Sequence, residues 1–544
     1  MGGDVVHDFV IVGAGSAGCV LADRLTASGR HSVLLLEAGG SDLRFFVQMP
    51  LGYGKTFYDP AVNWMYEAEA DPGLNGQRDY LPRGRILGGS SSINAMVYIR
   101  GHREDYEDWR RAGNPGWGWA DVLPAYKAME DYAAGDPAFR GRGGPLTITD
   151  IGGDAHLLCE AFIKATEATG LRYNPDFNGA EQEGVGLYQL TTRGGRRLSA
   201  ARAFLRPAMK RKNLRAETRA HVTRVLFDGT RAIGVEYRQG GALKKAMAGR
   251  EVILAGGAIN TPQLLQLSGV GPGALLQRLG IGVVLDNPQV GARMQDHHGI
   301  NYTWRMRVPT LNDALRPWWG KLMAGLQYIL TRHGPLSLSV NQGGGFFRSD
   351  PSQPRPNMQL YMQAFSTLIP KAGERPLLTP DPFSGLSLGL SNCRPASTGE
   401  VMITSSDPVA HPRIRFNAYA TGSDIAEMLA AVKYLRVIAA QEPLARLMAE
   451  ELRPGPQVTR DEDLIDDIRQ RSGTVYHQSC TCRMGPDPAT SVVDARLRVH
   501  GLEGLRVCDA SVFPNLIAGN TNAPAMMVGW RGAGIILQDA AHSV

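Results

Sequence analysis

Cysteine is scarce in this chain, with six among 544 residues. They lie at Cys19, Cys159, Cys393, Cys480, Cys482 and Cys508. So few cysteines in so long a chain exclude a disulfide-framed secreted scaffold and favour a reducing compartment. The first residues also lack the basic and apolar segments of a secretory signal peptide. We therefore expect a cytoplasmic protein.

Long hydrophobic runs are missing as well. No stretch of about 18 uncharged apolar residues occurs, so we expect no membrane span. The most apolar segment covers residues 318–326 and contains two adjacent tryptophans. It can form a core helix or touch a membrane surface, and a core helix is the commoner case.

A strong charge imbalance is absent too, because the net charge is only +6. The densest basic run, at 210–212, contains no aromatic residue that could stack on a base, so we expect no nucleic-acid partner. The stretch Asp296, His297 and His298 looks like a metal site. However, neighbouring residues of a strand point to opposite faces, and no further ligand follows at a zinc-like spacing. We expect no metal.

The strongest positive signal lies near the amino terminus, where two apolar runs flank a glycine-rich turn and a predicted helix. The turn consists of Gly13, Ala14, Gly15, Ser16, Ala17 and Gly18, and the second apolar run ends on Glu37. This spacing is typical of a strand-helix-strand unit that holds a pyrophosphate at the helix N-terminus and a ribose diol on the acidic side chain. By itself it does not choose between NAD and FAD.

Apolar strand-like runs recur at 221–237, 251–255 and 505–509, which indicates that the chain returns several times to one nucleotide-binding domain. Helical periodicity is clearest at 425–436, and we predict that this helix packs on a sheet. At 544 residues the chain exceeds what one core usually serves. We predict a first domain from residues 1–154, 216–299 and 471–544, and a second from 155–215 and 300–470.

Four further segments narrow the cofactor. They cover residues 82–97, 251–271, 476–485 and 506–524. Together with the amino-terminal turn they resemble the glucose-methanol-choline (GMC) oxidoreductases, a family of FAD-dependent alcohol oxidases and dehydrogenases, over almost the whole chain. Within that family, residues 173–180 and 480–483 look most like bacterial choline-dehydrogenase-like, L-sorbose and polyethylene glycol dehydrogenases.

The resemblance implies an α/β protein with a doubly wound, Rossmann-like FAD-binding domain and an α+β substrate domain whose sheet is backed by helices. It implies that the following residues bind FAD: Gly13, Gly15, Ser16, Ala17, Gly18, Glu37, Ala38, Leu87, Gly89, Ser90, Asn94, Ala95, Met96, Val97, Val222, Asp509, Ala510, Asn520 and Thr521. Some members bind FAD covalently through a histidine, and here that position is Ile93. We therefore expect noncovalent FAD.

The resemblance also assigns the catalytic residues. It places His477 as the base that removes the hydroxyl proton, a task that suits a near-neutral imidazole. It places Asn522 where an amide can donate to the alkoxide oxygen. Asn520 competes for that role and could instead hold the flavin.

The expected reaction is oxidation of a primary alcohol, such as a polyol, a sugar or another hydroxyl compound, to the aldehyde, with oxygen, a quinone or a cytochrome as electron acceptor. The alternatives are a lyase of the same family without net redox chemistry and a nicotinamide-dependent dehydrogenase, which residues 82–97 disfavour.

Overall fold

The computed structural model describes residues 6–368 and 380–542 and contains two seven-stranded sheets. The strands of the first sheet are Val6–Val12, Val33–Glu37, Leu214–Thr218, His221–Asp228, Arg231–Gln239, Ala242–Leu254 and Leu505–Val507. Four of these seven strands come from the recurring runs at 221–237, 251–255 and 505–509. One sheet therefore collects strands from distant parts of the chain, as predicted.

The first sheet is parallel around Val6–Val12, the strand that runs into the glycine-rich turn. Val6–Val12 pairs in parallel with Val33–Glu37 on one side and with Ala242–Leu254 on the other. All five residues of Val33–Glu37 are buried, as expected for a strand covered on both faces. The carboxyl ends of these strands bring the glycine-rich turn and Glu37 to one edge of the sheet.

The second sheet is antiparallel throughout. Its strands are Gly184–Leu187, His298–Met306, Gly343–Phe347, Met358–Gln363, Gly385–Asn392, Met448–Arg453 and Gly473–Thr474. The helix Gly422–Ala439 packs against Gly385–Asn392, and Met428, Val432 and Leu435 are buried at helical spacing. The predicted helix at 425–436 is thus confirmed.

The remaining elements are short strand pairs and helices. The short strands are Tyr66–Glu67, Tyr80–Leu81, Glu130–Asp131, Leu146–Thr147, Thr192–Arg193, Arg196–Arg197, Val270–Gly271, Leu285–Asp286, Glu400–Met402 and Arg413–Arg415. The other α-helices are Ser16–Thr26, Phe45–Gln48, Tyr53–Thr56, Arg103–Arg111, Trp119–Met129, Leu158–Glu167, Arg206–Ala208, Gly257–Leu267, Gly273–Arg278, Leu311–Leu315, Trp318–Thr331, Glu442–Ala445, Asp461–Arg471 and Asn522–His542. Single-turn helices cover Pro50–Gly52, Pro72–Leu74, Gly89–Ser92, Ala201–Leu205, Pro335–Ser337 and Ala510–Val512.

Each sheet has its own hydrophobic core, and the two cores share no residue. The chain thus has an α/β architecture with two domains. The predicted segments follow the two sheets to within a few residues, since Leu214–Thr218 starts just before 216 and Gly473–Thr474 lies just after 470. The boundaries themselves stay a prediction.

The apolar segment at 318–326 does not form a core helix, and that expectation is wrong. It belongs to Trp318–Thr331, which buries only Gly320, Ala324 and Tyr328. Seven large apolar side chains face solvent, and we call them the apolar face of this helix: Trp318, Trp319, Leu322, Met323, Leu326, Ile329 and Leu330. Periodicity locates an apolar stripe but does not say what covers it. Within 6–368 and 380–542, no helix is both long and apolar enough to span a bilayer.

Candidate active site

A cavity of about 1400 Å³ is lined by residues of both domains. Its walls include Gly13 and Glu37 from the first sheet's edge and Ile300, Tyr361 and Leu390 from the second sheet. Typical small-molecule pockets measure about 300–1000 Å³. The cavity is therefore large enough for a ligand bigger than an ordinary substrate.

Bare backbone forms one end of the cavity. A side chain at Gly13, where φ is +100°, would place its Cβ 2.6 Å from the Ala255 carbonyl oxygen. A Cβ on Gly89 would approach Gly15 Cα to 2.7 Å. Glycine is required at both positions, because they hold three backbone segments in direct contact beside the N-terminus of Ser16–Thr26. This cradle suits a pyrophosphate.

Glu37 is buried at the same end of the cavity. Its Oε2 accepts a hydrogen bond from the Ala14 amide at 2.9 Å and its Oε1 one from the Gly39 amide at 2.7 Å. Burial raises the pKa of Glu37 to about 7, although these two amides oppose the shift. Each carboxylate oxygen has a second lone pair, so the carboxylate can still accept from a ribose diol.

We expect Glu37→Ala to weaken FAD binding at least tenfold, because a hydrogen bond to a charged group is worth about 1.5 to 3 kcal/mol. Titration of the apoprotein with FAD by flavin fluorescence measures the change. Glu217→Ala is the matched control, since Glu217 lies on the neighbouring strand, where it pairs with Leu36, and binds Arg215 and Gln239. Equal FAD affinity in the Glu37 variant and the wild type would refute the placement.

Most predicted cofactor residues line this cavity: Gly13, Gly15, Ser16, Ala17, Glu37, Ala38, Gly89, Ser90, Asn94, Ala95, Met96, Val97, Val222, Asp509, Ala510, Asn520 and Thr521. Gly18 and Leu87 do not. A Cβ on Gly18 would lie 1.9 Å from the Gly13 carbonyl oxygen, so this glycine serves close helix packing. Leu87 is buried, and its carbonyl accepts from Ser92 Oγ at 2.7 Å.

His477 follows a residue in a rare backbone conformation. Tyr476 has φ +72°, which is unusual for a bulky side chain. Two contacts hold it: Arg83 Nη2 donates to the Tyr476 carbonyl at 2.7 Å, and the His477 amide donates to Asp296 Oδ1 at 2.8 Å. The imidazole of His477 is thereby aimed into the cavity.

A chain of hydrogen bonds fixes the proton on the His477 ring. His297 Nε2 lies 2.9 Å from the Cys393 carbonyl oxygen, which can only accept, so Nε2 carries the hydrogen. Neutral His297 then has a lone pair on Nδ1. His477 Nδ1, 2.9 Å from it, must be the donor. The lone pair of His477 therefore resides on Nε2.

A second series of hydrogen bonds ends at His477 Nε2, on the other side of the ring. Tyr188 donates its hydroxyl hydrogen to the Leu360 carbonyl at 2.6 Å, so it accepts from Gln359 Nε2 at 3.2 Å. Gln359 Nε2 also donates to Asn520 Oδ1 at 3.3 Å, which turns Asn520 Nδ2 toward His477 Nε2 at 3.1 Å. Both chains thus place an unprotonated Nε2 opposite an amide donor.

The electrostatic environment keeps His477 neutral. Burial, followed by neighbouring His297 and the Arg83 guanidinium, lowers the pKa of His477 well below its usual range. Burial also lowers the pKa of His297 to about 4. At physiological pH both imidazoles are uncharged, which is the state that the hydrogen-bond chains require.

Asn522 does not contact His477. It is the first residue of Asn522–His542, and its Oδ1 accepts from Ser16 Oγ at 2.7 Å, beside the glycine cradle. Asn522 also lines the cavity, and its expected role at the alkoxide stays a prediction. In this geometry Asn520 is the amide next to the imidazole, with its Nδ2 at 3.1 Å from His477 Nε2.

For three residues of this site, the contacts seen in the structure were not predicted from the sequence. Asp296 and His297 were considered only as part of a possible metal site, and Gln359 was not singled out. Within the described part of the chain, no group of three or more His, Cys, Asp or Glu could hold a metal. His297 instead contacts His477, which lies 180 residues away, so no local pattern indicates the pair.

Comparison with known proteins identifies the family. Models of the GMC oxidoreductase family match residues 7–299 and 395–529. The chain belongs to the GMC oxidoreductases. It is 42% identical to "Choline dehydrogenase, mitochondrial" of Homo sapiens, over 97% of this chain and 89% of that protein. It is also 42% identical to "Alcohol dehydrogenase [acceptor]" of Pseudomonas putida, over 98% and 96% of the two chains.

The fold agrees with this membership. The crystal structure of pyridoxine 4-oxidase from Mesorbium loti superposes with a TM-score of 0.89 at 31% identity, over 98% of this chain and 99% of that one. The protein is thus an FAD-dependent oxidoreductase. The residues present fit FAD, because the glycine cradle, the helix N-terminus and Glu37 supply pyrophosphate and ribose contacts at one end of a cavity that reaches His477 at the other.

Proposed function

We propose that this GMC oxidoreductase oxidises a primary alcohol to the aldehyde, with His477 as the base. The observation that carries the proposal is the unprotonated Nε2 of His477, which faces the cavity at 3.1 Å from the Asn520 amide. A base and a hydrogen-bond donor side by side match the two needs of an alcohol oxygen that loses its proton.

Bound FAD supplies the hydride acceptor for the carbinol carbon. His477 Nε2 accepts the hydroxyl proton, while Asn520 Nδ2 donates to the developing alkoxide. His297 holds the other ring nitrogen through the 2.9 Å bond, so the imidazole keeps its orientation when it takes up the proton. Because burial lowers the pKa of His477, the ring is uncharged before the alcohol binds and is free to take up the proton.

Anaerobic mixing with alcohols tests the proposed reaction. The purified yellow protein should bleach with at least one member of a panel of aliphatic, aromatic and polyhydroxy primary alcohols and should yield the aldehyde. The similar proteins reported above are two dehydrogenases and an oxidase, which favours this outcome over a lyase. Cleavage of a cyanohydrin without bleaching would support the lyase instead.

We further propose that FAD is held noncovalently. Ile93 lines the cavity, and its aliphatic side chain packs with Val47, Val62 and Ile86, so it offers no nucleophile. Acid precipitation should therefore leave the yellow colour in the supernatant. Colour retained in the protein pellet would contradict this prediction.

The electron acceptor is proposed to be oxygen, a quinone or a cytochrome. Names of the similar proteins point in different directions, since one is an oxidase and another an "[acceptor]" dehydrogenase. Reoxidation of the reduced protein by each candidate in turn separates them. We also propose a cytoplasmic location, which is supported by six free, buried cysteines.

His297 is proposed to position His477 without touching the substrate. His297→Phe removes the acceptor for His477 Nδ1–H, and we expect flavin reduction to slow about 10- to 100-fold, as is usual when the group that orients a functional imidazole is lost. His297→Gln is the matched control, because its Oε1 can still accept that hydrogen and should restore much of the rate. Stopped-flow reduction measures both. Equal rates in the two variants would exclude the positioning role.

A further inference from the structure

The helix Trp318–Thr331 turns its apolar side outward. At about 100° per residue, the seven side chains of its apolar face fall within an arc of about 140°. Trp318 is 77% exposed and Leu330 is 72% exposed. The buried residues Gly320, Ala324 and Tyr328 lie on the opposite side. A surface helix normally turns its apolar side toward the core and its polar side toward solvent. An exposed apolar face of this size therefore indicates an interaction surface.

Every charged residue from 314 to 332 is a cation. Arg316 and Lys321 are exposed, Arg332 follows the last turn, and no Asp or Glu occurs from residue 314 to 332. Within residues 6–368 and 380–542, neither Arg316 nor Lys321 forms an ion pair. The partner that covers the face therefore has to neutralise these cations.

A second copy of the chain fits poorly. In a twofold dimer the same patch meets itself, so the cations of one helix would approach the cations of the other. An anionic lipid surface is complementary, because it accepts the apolar side chains and places phosphates beside the cations. Trp318 and Trp319 also suit the boundary between headgroups and acyl chains.

A second apolar group extends the same region. Leu43, Phe45 and Phe46 are about half exposed or more. Phe45–Gln48 contacts the turn Pro50–Gly52, which contacts Pro335–Ser337, and that turn contacts the helix Trp318–Thr331. Lys55 lies on this connected surface and is exposed, as is Arg44, which pairs with Asp59 at 3.3 Å.

We propose that the apolar face of Trp318–Thr331 docks the protein onto an anionic bilayer, with the helix lying in the plane of the headgroups. The protein is then a peripheral membrane enzyme. Since Val340 and Asn341, just beyond this helix, line the cavity, docking brings one side of the active site near the lipid.

Flotation of the FAD-loaded full chain with vesicles tests the proposal. The protein should float with vesicles of phosphatidylcholine and phosphatidylglycerol and bind weakly to phosphatidylcholine alone. The combined variant Trp318→Ser, Trp319→Ser and Leu322→Ser should lower the affinity at least about tenfold, because it removes three of the seven side chains of the apolar face, including both tryptophans. Oxidation of a water-soluble alcohol with an artificial acceptor should stay unchanged, which shows that the variant is folded.

The control variant carries Leu243→Ser, Val409→Ser and Val437→Ser, three exposed apolar residues on other elements. It should float like the wild type, and Arg316→Glu with Lys321→Glu should weaken binding to the anionic vesicles only. Absence of flotation, or equal loss in the control, would overturn the proposal. So would a dimer, measured by light scattering, that the Trp318 variant dissociates without any vesicle binding.

Discussion

Replacing His477 with alanine is expected to slow anaerobic flavin reduction by about 10²- to 10⁴-fold, the usual contribution of a general base. The reason is structural, since His477 Nε2 is the unprotonated nitrogen that both hydrogen-bond chains leave facing the cavity. FAD should remain bound, because the glycine cradle and Glu37 lie at the other end of the cavity. Stopped-flow absorbance measures the rate directly.

Two controls separate a lost base from a damaged fold. His500→Ala removes a partly buried histidine whose ring lies within hydrogen-bond distance of Ser491 Oγ and the Gly485 carbonyl, and it should reduce at the wild-type rate. Added imidazole should partly restore His477→Ala, since it can occupy the space that the ring leaves. Near wild-type reduction in His477→Ala without imidazole would remove this residue from the mechanism.

The second large effect is expected at Asn520. Asn520→Ala removes the amide that faces His477 Nε2, and loss of one such preorganised donor typically costs about 10² to 10³ in rate. The variant should keep the pH profile of the wild type, because its base is intact. Anaerobic reduction at saturating alcohol and FAD measures the change.

Asn522→Ala is the matched control for this prediction. Asn522 accepts from Ser16 Oγ beside the cradle, so its loss should weaken FAD binding and leave reduction of the bound flavin nearly unchanged. The reverse pattern, with slow reduction in Asn522→Ala and fast reduction in Asn520→Ala, would restore the original sequence-based assignment.

Local patterns predicted the parts of the site that one short segment builds. The turn at Gly13 and the acid at Glu37 belong to one strand-helix-strand unit, whose spacing is typical of units that bind a pyrophosphate and a ribose. The strand Leu505–Val507 was equally predictable from the sequence, because a buried parallel strand is typically a continuous apolar run. The turn, the acid and the strand are each determined by residues that lie close together in the sequence.

The other features of the site depended on contacts between segments that are distant in the sequence. Asn520 and Asn522 stand two residues apart, and only the start of Asn522–His542 decides which one meets His477. The partnership of His297 with His477 joins two segments that the second sheet aligns, since His298 pairs with Thr474. Likewise, the periodicity of Trp318–Thr331 is the same whether its apolar side faces a core or solvent. Sequence alone therefore could not decide among the alternatives for these residues.

The pH dependence of anaerobic flavin reduction tests the central claim that a neutral His477 is the base. Because burial, His297 and Arg83 lower the pKa of His477, the ring is unprotonated across the neutral and alkaline range and gains a proton only in acid. The wild-type rate should thus stay level through the histidine's ordinary pKa of about 6.5 and fall with unit slope only in more acidic solution. In His477→Ala the rate should be low at every pH, and its decrease in acid should be absent. An acid limb that persists unchanged in His477→Ala would contradict the account.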